Sequence, residues 1–479
     1  MKRPLVLMVA ALAFICISCG GRDNTPPKVI STTPQQNATT ARLDAPFEVL
    51  FSEPLSQESF SESNVQFRVA GQVMSVQVRR GANDRTMLIQ PTRQPAALPA
   101  TAALRLSSGI RDRAGNPLVP FEWKFTLAAW VPLGDVVTHE GTRDVRGYAL
   151  TVFDGEPLLV WSEKDGDEQS AAYAARWDGD ARAWTFLGDY VGPTLTAQVL
   201  YPDVVVAEGV PWVIYQRSRV GRFECHAARW NGTAWESGEA LDHHGGSWCY
   251  GPKMAWGDRL YGAWTEWDPG NHKLYGAWGY LQAGSWQPGS PEYESNVSDL
   301  QLWDLEASTD EKLWAAYGKD GKGYVSEYGG GAWTLLGGGP LDADGNPSTN
   351  TFNASLVVDD DGHLWAAWKE GGQVRVARWD GFAWRYHSPS GADGFNPSLA
   401  YADGSLYLAW YSNQAEGVRV LRLEEPTGDW QAVGGTYRAD AYGSPRIAVL
   451  PGGWPVLAWT EKTSAGDVFL RAVVYNHVP

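Results

Sequence analysis

Cysteine is scarce in this 479-residue chain: there are four, and two of them, Cys16 and Cys19, fall at its very start. A fold stapled throughout by disulfides is therefore excluded. Basic residues are the minority, 39 against 55 acidic, giving a formal net charge of −16. Such a surface repels a nucleic-acid backbone, which argues against DNA or RNA as a partner. Beyond the N-terminal segment no stretch reaches the roughly 18 apolar residues of a membrane helix. No Walker loop, no G-x-S-x-G elbow and no Ser-His-Asp order appears. What the chain has is aromatic residues and glycine: 25 Trp and 53 Gly, within a hydrophobic share of 44% that excludes wholesale disorder.

The chain opens on a short basic head, Met1-Lys2-Arg3, followed by an apolar run from Leu5 to Ile17 that is too short to span a bilayer and reads as a secretory signal. Ser18-Cys19-Gly20-Gly21 comes next. Residues 1–19 resemble a bacterial lipoprotein signal, which implies lipidation of Cys19 and leaves residues 20–25 as a linker. The address expected is an exported lipoprotein of the outer membrane or cell surface, held to the membrane through its lipid alone. An ordinary cleaved signal, giving a secreted or periplasmic protein, is the alternative. In an oxidising compartment the two remaining cysteines, Cys225 and Cys249, form either a disulfide or two buried thiols.

Charge divides the rest of the chain. Residues 26–128 carry 11 basic and 8 acidic residues, and residues 129–479 carry 25 and 46. Two separately folded units follow. In the first, strand-like runs at Phe47–Phe51, Val73–Val78, Thr86–Ile89, Ala103–Leu106 and Trp123–Leu127 are punctuated by Pro, Gly and Asn, with no helical period, as in an antiparallel sandwich. Pro26-Pro27-Lys28-Val29, Phe51-Ser52-Glu53-Pro54-Leu55 and Asp112-Arg113-Ala114-Gly115-Asn116-Pro117 resemble the bacterial Ig-like domain known from S-layer proteins. That resemblance implies a stalk or spacer role for residues 26–128. Asp112 and Asn116 are read as turn formers rather than ligands.

The second unit repeats. A Trp or Tyr closes an apolar strand at Trp161, Tyr215, Trp264, Tyr317, Trp368, Trp410 and Trp459. Seven residues before each stands Asp, Glu or Gly: Asp154, Glu208, Gly257, Asp310, Asp361, Asp403 and Gly452. These are residues suited to a tight hairpin. A second Trp series, Trp130, Trp184, Trp235, Trp286, Trp333, Trp384 and Trp430, is often followed by Leu-Gly or Val-Gly. The period is about 50 residues, with four strands in each, as in a β-propeller blade. The last repeat stops after Val468–Tyr475, so Ala129–Asp135 is expected to supply its missing outer strand. The fold class expected is all-β: an Ig-like sandwich, then a seven-bladed propeller over residues 129–479 closed by the Trp130 region.

Two candidate sites follow. Two residues beyond each anchor, on the same side of the strand, stand Glu163, Arg217, Glu266, Lys319, Glu370, Ser412 and Glu461. Their alternating signs read as a belt of inter-blade salt bridges. The arc Glu163, Glu370, Ser412 and Glu461 lacks a basic partner and is the candidate site for Ca²⁺ or a cationic ligand; no other cofactor is expected. The other candidate is an aromatic loop cluster, His243, His244, Trp248, Tyr250 and Trp267, beside the Cys225–Cys249 pair, of the kind that recognises sugars or peptides. Asp342-x-Asp344-Gly345-Asn346 resembles part of a calcium loop, with Asn353 where the bidentate Glu would stand.

Trp177-Asp178-Gly179 and Trp379-Asp380-Gly381, with Trp384, are loosely similar to the sialidase box and to a turn of fucose-binding propeller lectins. The function expected is a non-catalytic surface binding or adhesion protein whose partner is a glycan or an envelope protein. The alternatives are a sialidase-like glycan hydrolase and a structural envelope scaffold.

Overall fold

The computed structural model describes residues 23–478 apart from residues 136, 140–143, 166–168, 193–197, 220, 242–245, 347, 425–427, 439–442 and 465. The signal segment with Cys19, and His243 and His244, lie outside the described residues. No helix among the described residues is long and apolar enough to cross a membrane. The described residues form two compact units, one holding 23–95, 100–127 and 478, the other holding 96–99 and those of 128–477.

The first unit has two four-stranded antiparallel sheets. One runs in the order Val29–Thr33, Phe47–Phe51, Thr86–Pro91, Val76–Arg80, and the other Gln72–Met74, Val65–Val69, Ala100–Leu106, Phe121–Leu127. Strand parity builds the core: Phe47, Val49 and Phe51 from one sheet, and Phe67, Leu104 and Phe125 from the other, are all buried. Phe47 meets Phe67 and Phe125 edge-on at 5.4 and 5.2 Å. The single run expected at Val73–Val78 is two strands broken at Ser75. Val29–Thr33 and Val65–Val69 are strands that the apolar pattern did not single out. Ile30 is exposed, which hides the alternation of the first of these. Asp112 is buried and accepts from both the backbone N and Nδ2 of Asn116, at 2.8 and 2.7 Å, as a turn former does.

Among the described residues the second unit holds seven antiparallel sheets. The first runs Val145–Phe153, Glu156–Asp165, Gln169–Asp178, Ala183–Phe186. The same up-and-down order recurs from first strands at Val199–Ala207, Trp248–Trp256, Gln301–Ala307, Thr351–Val358 and Phe395–Ala402. Sheets three and six each gain a short extra strand, Glu294–Val297 and Tyr437–Arg438. The seventh comprises Arg446–Leu450, Trp454–Lys462 and Val468–Tyr475, and its fourth strand is Trp130–Pro132, with Trp130 opposite Tyr475.

Local chemistry explains the repeat. In the Asp154-Gly155, Glu208-Gly209 and Asp403-Gly404 turns both residues take positive φ, the two-residue hairpin geometry that matches strand twist. The seven anchor aromatics are buried. They fill junctions between sheets: Trp161 packs with Leu450, Val456 and Leu470 of the seventh sheet, and Trp368 packs with Trp314 of the fourth and Leu336 in the turn after it.

Members of the second Trp series latch onto a carbonyl of the preceding repeat, whereas the Trp130 indole N–H is buried without such a bond. Trp184 Nε1 donates to Leu133 O, Trp235 Nε1 to Leu187 O and Trp430 Nε1 to His387 O, at 2.7, 2.7 and 2.5 Å. The Gly after the Leu has a reason too. Gly134 and Gly188 hold φ of 75° and 72°, and a Cβ there would lie 3.5 and 3.6 Å from the Trp184 and Trp235 rings.

Candidate functional site

Six of the seven first strands begin with a register shift, at Gly147, Asp203, Lys253, Asp304, Ser355 and Ser398. Such bulges re-aim side chains. Tyr201, Asn353 and Asn396 hold φ of 48°, 51° and 55° there, a cost that non-glycine residues bear where the backbone is held by its surroundings. The result is a cavity of about 200 Å³ to which all seven sheets contribute, among them Tyr148, Tyr201, Trp303, Asn353, Asn396 and Arg446. Asn353 Nδ2 donates to Asn396 Oδ1, and Tyr148 donates its hydroxyl to Ser444 O.

Next to this mouth, side chains of one first strand accept from the backbone of the next. Asp203 accepts from Met254 N at 2.9 Å, Asp304 from Leu356 N at 2.7 Å, Ser355 from Leu399 N at 3.1 Å and Ser398 from Ile447 N at 3.2 Å. Lys253 Nζ lies 3.9 Å from Asp203. Burial raises the Asp304 carboxyl, against the opposing pull of Lys253. Glu306, one step further along its strand, is pushed up to about 8 by burial and by the charges of Asp304 and Asp203. Glu306 therefore carries a proton near neutral pH. These carboxylates carry no motif in the sequence; the sole signal was their alternation, Asp304 then Glu306, in an otherwise apolar strand.

The aromatic cluster forms around part of its expected membership. Trp248 and Trp267 face each other across paired strands, rings 5.1 Å apart, and both are half-buried. Tyr250 joins through Phe223, which lies 5.6 Å from it and 6.0 Å from Trp248, and His272 lies 5.8 Å from Trp267. Phe223 and His272 were missed. Phe223 stands two residues before Cys225 on the same side of its strand, and that parity was the available signal. Cys225 and Cys249 are disulfide-bonded with Cα atoms 5.6 Å apart, joining sheets two and three. Tyr250 adjoins Gly251, which lines the mouth, so cluster and cavity lie at the same ends of the strands.

Among the described residues the members of the acidic arc are not gathered into one carboxylate group. Glu163, Glu266 and Glu461 each accept from the indole Nε1 two residues earlier, at 3.0, 2.8 and 3.0 Å from Trp161, Trp264 and Trp459. Ser412 bonds Asp393 at 3.0 Å. Lys319, in the fourth sheet, pairs at 2.6 Å with Glu294 of the third sheet's extra strand, across the sheet junction. These contacts build neither the shared cation site over Glu163, Glu370, Ser412 and Glu461 nor a belt in which the seven residues pair with one another; the bridge from Lys319 to the next sheet goes to Glu294, outside that series. The reason is that a buried carboxylate meets its demand for donors at the nearest one, the anchor indole.

Glu370 departs from the pattern. It accepts from Ala343 N at 3.0 and 3.1 Å and lies with Asp342 and Asp344, leaving Trp368 Nε1 without a partner. Burial, and then the charges of Asp344 and Asp342, raise its carboxyl against the pull of Arg375. A second carboxylate trio, Asp23, Glu53 and Asp112, lies in the first unit.

Residues 23–127 match the model of the bacterial Ig-like domain family. No curated protein matches the chain. Among solved structures, the chain is similar to the polysaccharide lyase Uly1, at TM-score 0.48 and 9% identity over 70% of this chain and 90% of that one. It is similar to a Trypanosoma rangeli sialidase at TM-score 0.41 and 11% identity, covering 61% and 56%. It is also similar to the six-bladed propeller lectin of Aleuria aurantia, at TM-score 0.39 and 12% identity, covering 62% and 96%.

Proposed function

We propose that the seven sheets are the blades of one propeller, closed by the Trp130 strand, and that the face around the channel mouth binds a glycan without turning it over. The latch supports closure. Trp184 bonds Leu133, three residues after Trp130, just as Trp235 bonds Leu187, three residues after Trp184. Trp130 in turn lies against Gly434, where a Cβ would meet its Nε1 at 2.5 Å.

The observation that carries the binding reading is the composition of the mouth. Tyr201 and Trp303, the amide residues Gln301, Asn353 and Asn396, and the cationic residues Lys253 and Arg446 line one cavity of about 200 Å³, with the Trp303 indole packed on Gly318 and Gly323. Stacking faces with fixed donors and acceptors are what a sugar ring needs. The volume suits one terminal ring, with the Trp248, Tyr250 and Trp267 cluster beside it for the next. The chain is exported and held through a lipid on Cys19, with the Ig-like unit as spacer. A glycan array probed with the full chain tests the binding reading. Retention of a defined glycan set, weakened at least tenfold by Tyr201→Ala, is expected; retention of none contradicts it.

One observation favours hydrolysis as a second reading. Glu306, pushed up to about 8, lies close to Asp203 and Asp304, and a carboxyl group that holds its proton near neutral pH beside other carboxyl groups is the equipment of glycoside cleavage. Release of free sugar, abolished by Glu306→Gln, selects it.

A further inference from the structure

The opposite ends of the same strands carry a different series of cavities. Tyr201 and Glu208 stand at the two ends of one strand, roughly 23 Å apart at the rise of an extended chain. At the Glu208 end, successive sheet junctions hold three grooves. The first, about 610 Å³, lies between sheets two and three and is lined by Trp212, Arg229, Trp256, Arg259 and Trp286. The second, about 550 Å³, lies between sheets three and four and is lined by Arg259, Tyr261, Trp278, Tyr280 and Lys312. The third, about 250 Å³, follows with Lys312, Trp314 and His363.

The grooves are built alike. Trp212, Tyr261 and Trp314 occupy one repeat position, three residues before the anchors Tyr215, Trp264 and Tyr317. Neighbouring grooves share the cation on their dividing wall, Arg259 and then Lys312. The cations are held over rings: Arg229 over Trp212 at 6.0 Å, Arg259 over Tyr280 at 5.2 Å, Lys312 over Trp314 at 5.9 Å. Carboxylates stand beside them. Asp258 bonds Arg259 at 2.7 Å and Tyr261 at 2.7 Å, and Glu236 accepts from Asn231 at 2.8 Å.

Each larger groove therefore brings aromatic, guanidinium and carboxylate residues into one lining, Asp258 and Glu236 in the first and Asp310 and Glu311 in the second. An anionic ligand meets Glu208, Glu236 and Asp258 in the first groove, on a chain of net charge −16. A neutral polyhydroxyl ligand meets donors and acceptors in balance and a ring face for its C–H surface. Volumes of 610 and 550 Å³ fall within the range of small-molecule sites.

We infer that the first two grooves are a pair of neutral-saccharide sites sharing Arg259 as their common wall, separate from the channel mouth and standing whether or not the mouth binds a glycan. Calorimetric titration of the full chain with neutral hexasaccharides (cello-, manno-, xylo- and chito-series), with oligogalacturonate as the acidic comparison, tests it. A neutral hexasaccharide is expected to fill two sites per chain. Arg229→Ala should weaken one of them at least tenfold, and Arg259→Ala should weaken both. A footprint on the unaltered protein avoids any folding defect: bound saccharide should shield Trp212, Trp256 and Trp286 from indole oxidation, read by peptide mass spectrometry. Preference for oligogalacturonate, binding abolished by Tyr201→Ala with the groove variants unaffected, or no shielding of these three indoles at saturation overturns the inference.

Discussion

The indole Nε1 of Trp184 donates to the backbone carbonyl of Leu133 at 2.7 Å. Leu133 belongs to the segment that pairs with the last long strand of the chain, through Leu133 N to Ala472 O at 2.9 Å. One short stretch thus serves as the outer strand of the seventh sheet and as the acceptor for the first. Trp130 is 6% exposed and stacks edge-on against Tyr475 at 5.6 Å. Trp130→Ala should destabilise the second unit by about 3–5 kcal/mol. Chemical denaturation followed by Trp fluorescence measures it, and a change under 1 kcal/mol would show that the seam is not held there.

Two adjacent glycines separate backbone strain from crowding. Gly434 and Gly435 have φ of 71° and 70°, but a Cβ on Gly434 strikes Trp130 while a Cβ on Gly435 meets nothing within 4 Å. Gly435→Ala should cost about 1–2 kcal/mol from the left-handed backbone alone. Gly434→Ala should cost visibly more, read as the difference in melting temperature between the two variants. Equal losses would place Trp130 elsewhere.

Reduction of the Cys225–Cys249 bond should also be measurable. The bond closes a separation of 24 residues and joins two sheets. A chain-entropy account gives about 3 kcal/mol for a loop of that length. Thermal unfolding of the double variant Cys225→Ala/Cys249→Ala is expected to fall by a matching amount, and the reductant sensitivity of the native chain should vanish in it.

The pH dependence has a definite sign. The Glu306 carboxyl titrates near 8 when folded, above its ordinary value of 4.5, so the folded chain holds an extra proton between those limits. The contribution of Glu306 is complete below the ordinary value and is lost as pH rises toward 8. Glu306→Gln removes that loss. The gap in melting temperature, variant minus native, should widen in the variant's favour from pH 5 to pH 8.5; a constant gap contradicts the assignment.

Much of the architecture was legible because it rests on short-range rules. A Gly or Asp seven residues before a Trp marks a hairpin whichever sheet it serves, and the Trp–Leu–Gly signal encodes an indole that needs a carbonyl and a glycine to lie against. The cavity lined by all seven sheets was not legible. Tyr201, Asn353 and Asn396 gain meaning only where bulged strands from different sheets meet, and residues about 50 or 150 positions apart share no local pattern. The misread belt has a similar cause. Strand parity placed Glu163, Glu266 and Glu461 on the anchor side, but parity says nothing of which donor lies nearest, and the anchor indole was nearer than the neighbouring sheet. Glu370 found Asp342 and Asp344 across 28 and 26 residues of chain, a meeting no spacing motif announces.

Binding without chemistry at the mouth is the central proposal. The full chain, incubated with the glycan that the array selects, should retain it saturably. Mass spectrometry should recover that glycan intact after a day at neutral pH, with retention at least tenfold weaker for Tyr201→Ala. Recovery of shorter products that Glu306→Gln suppresses would contradict the account and make the molecule a hydrolase.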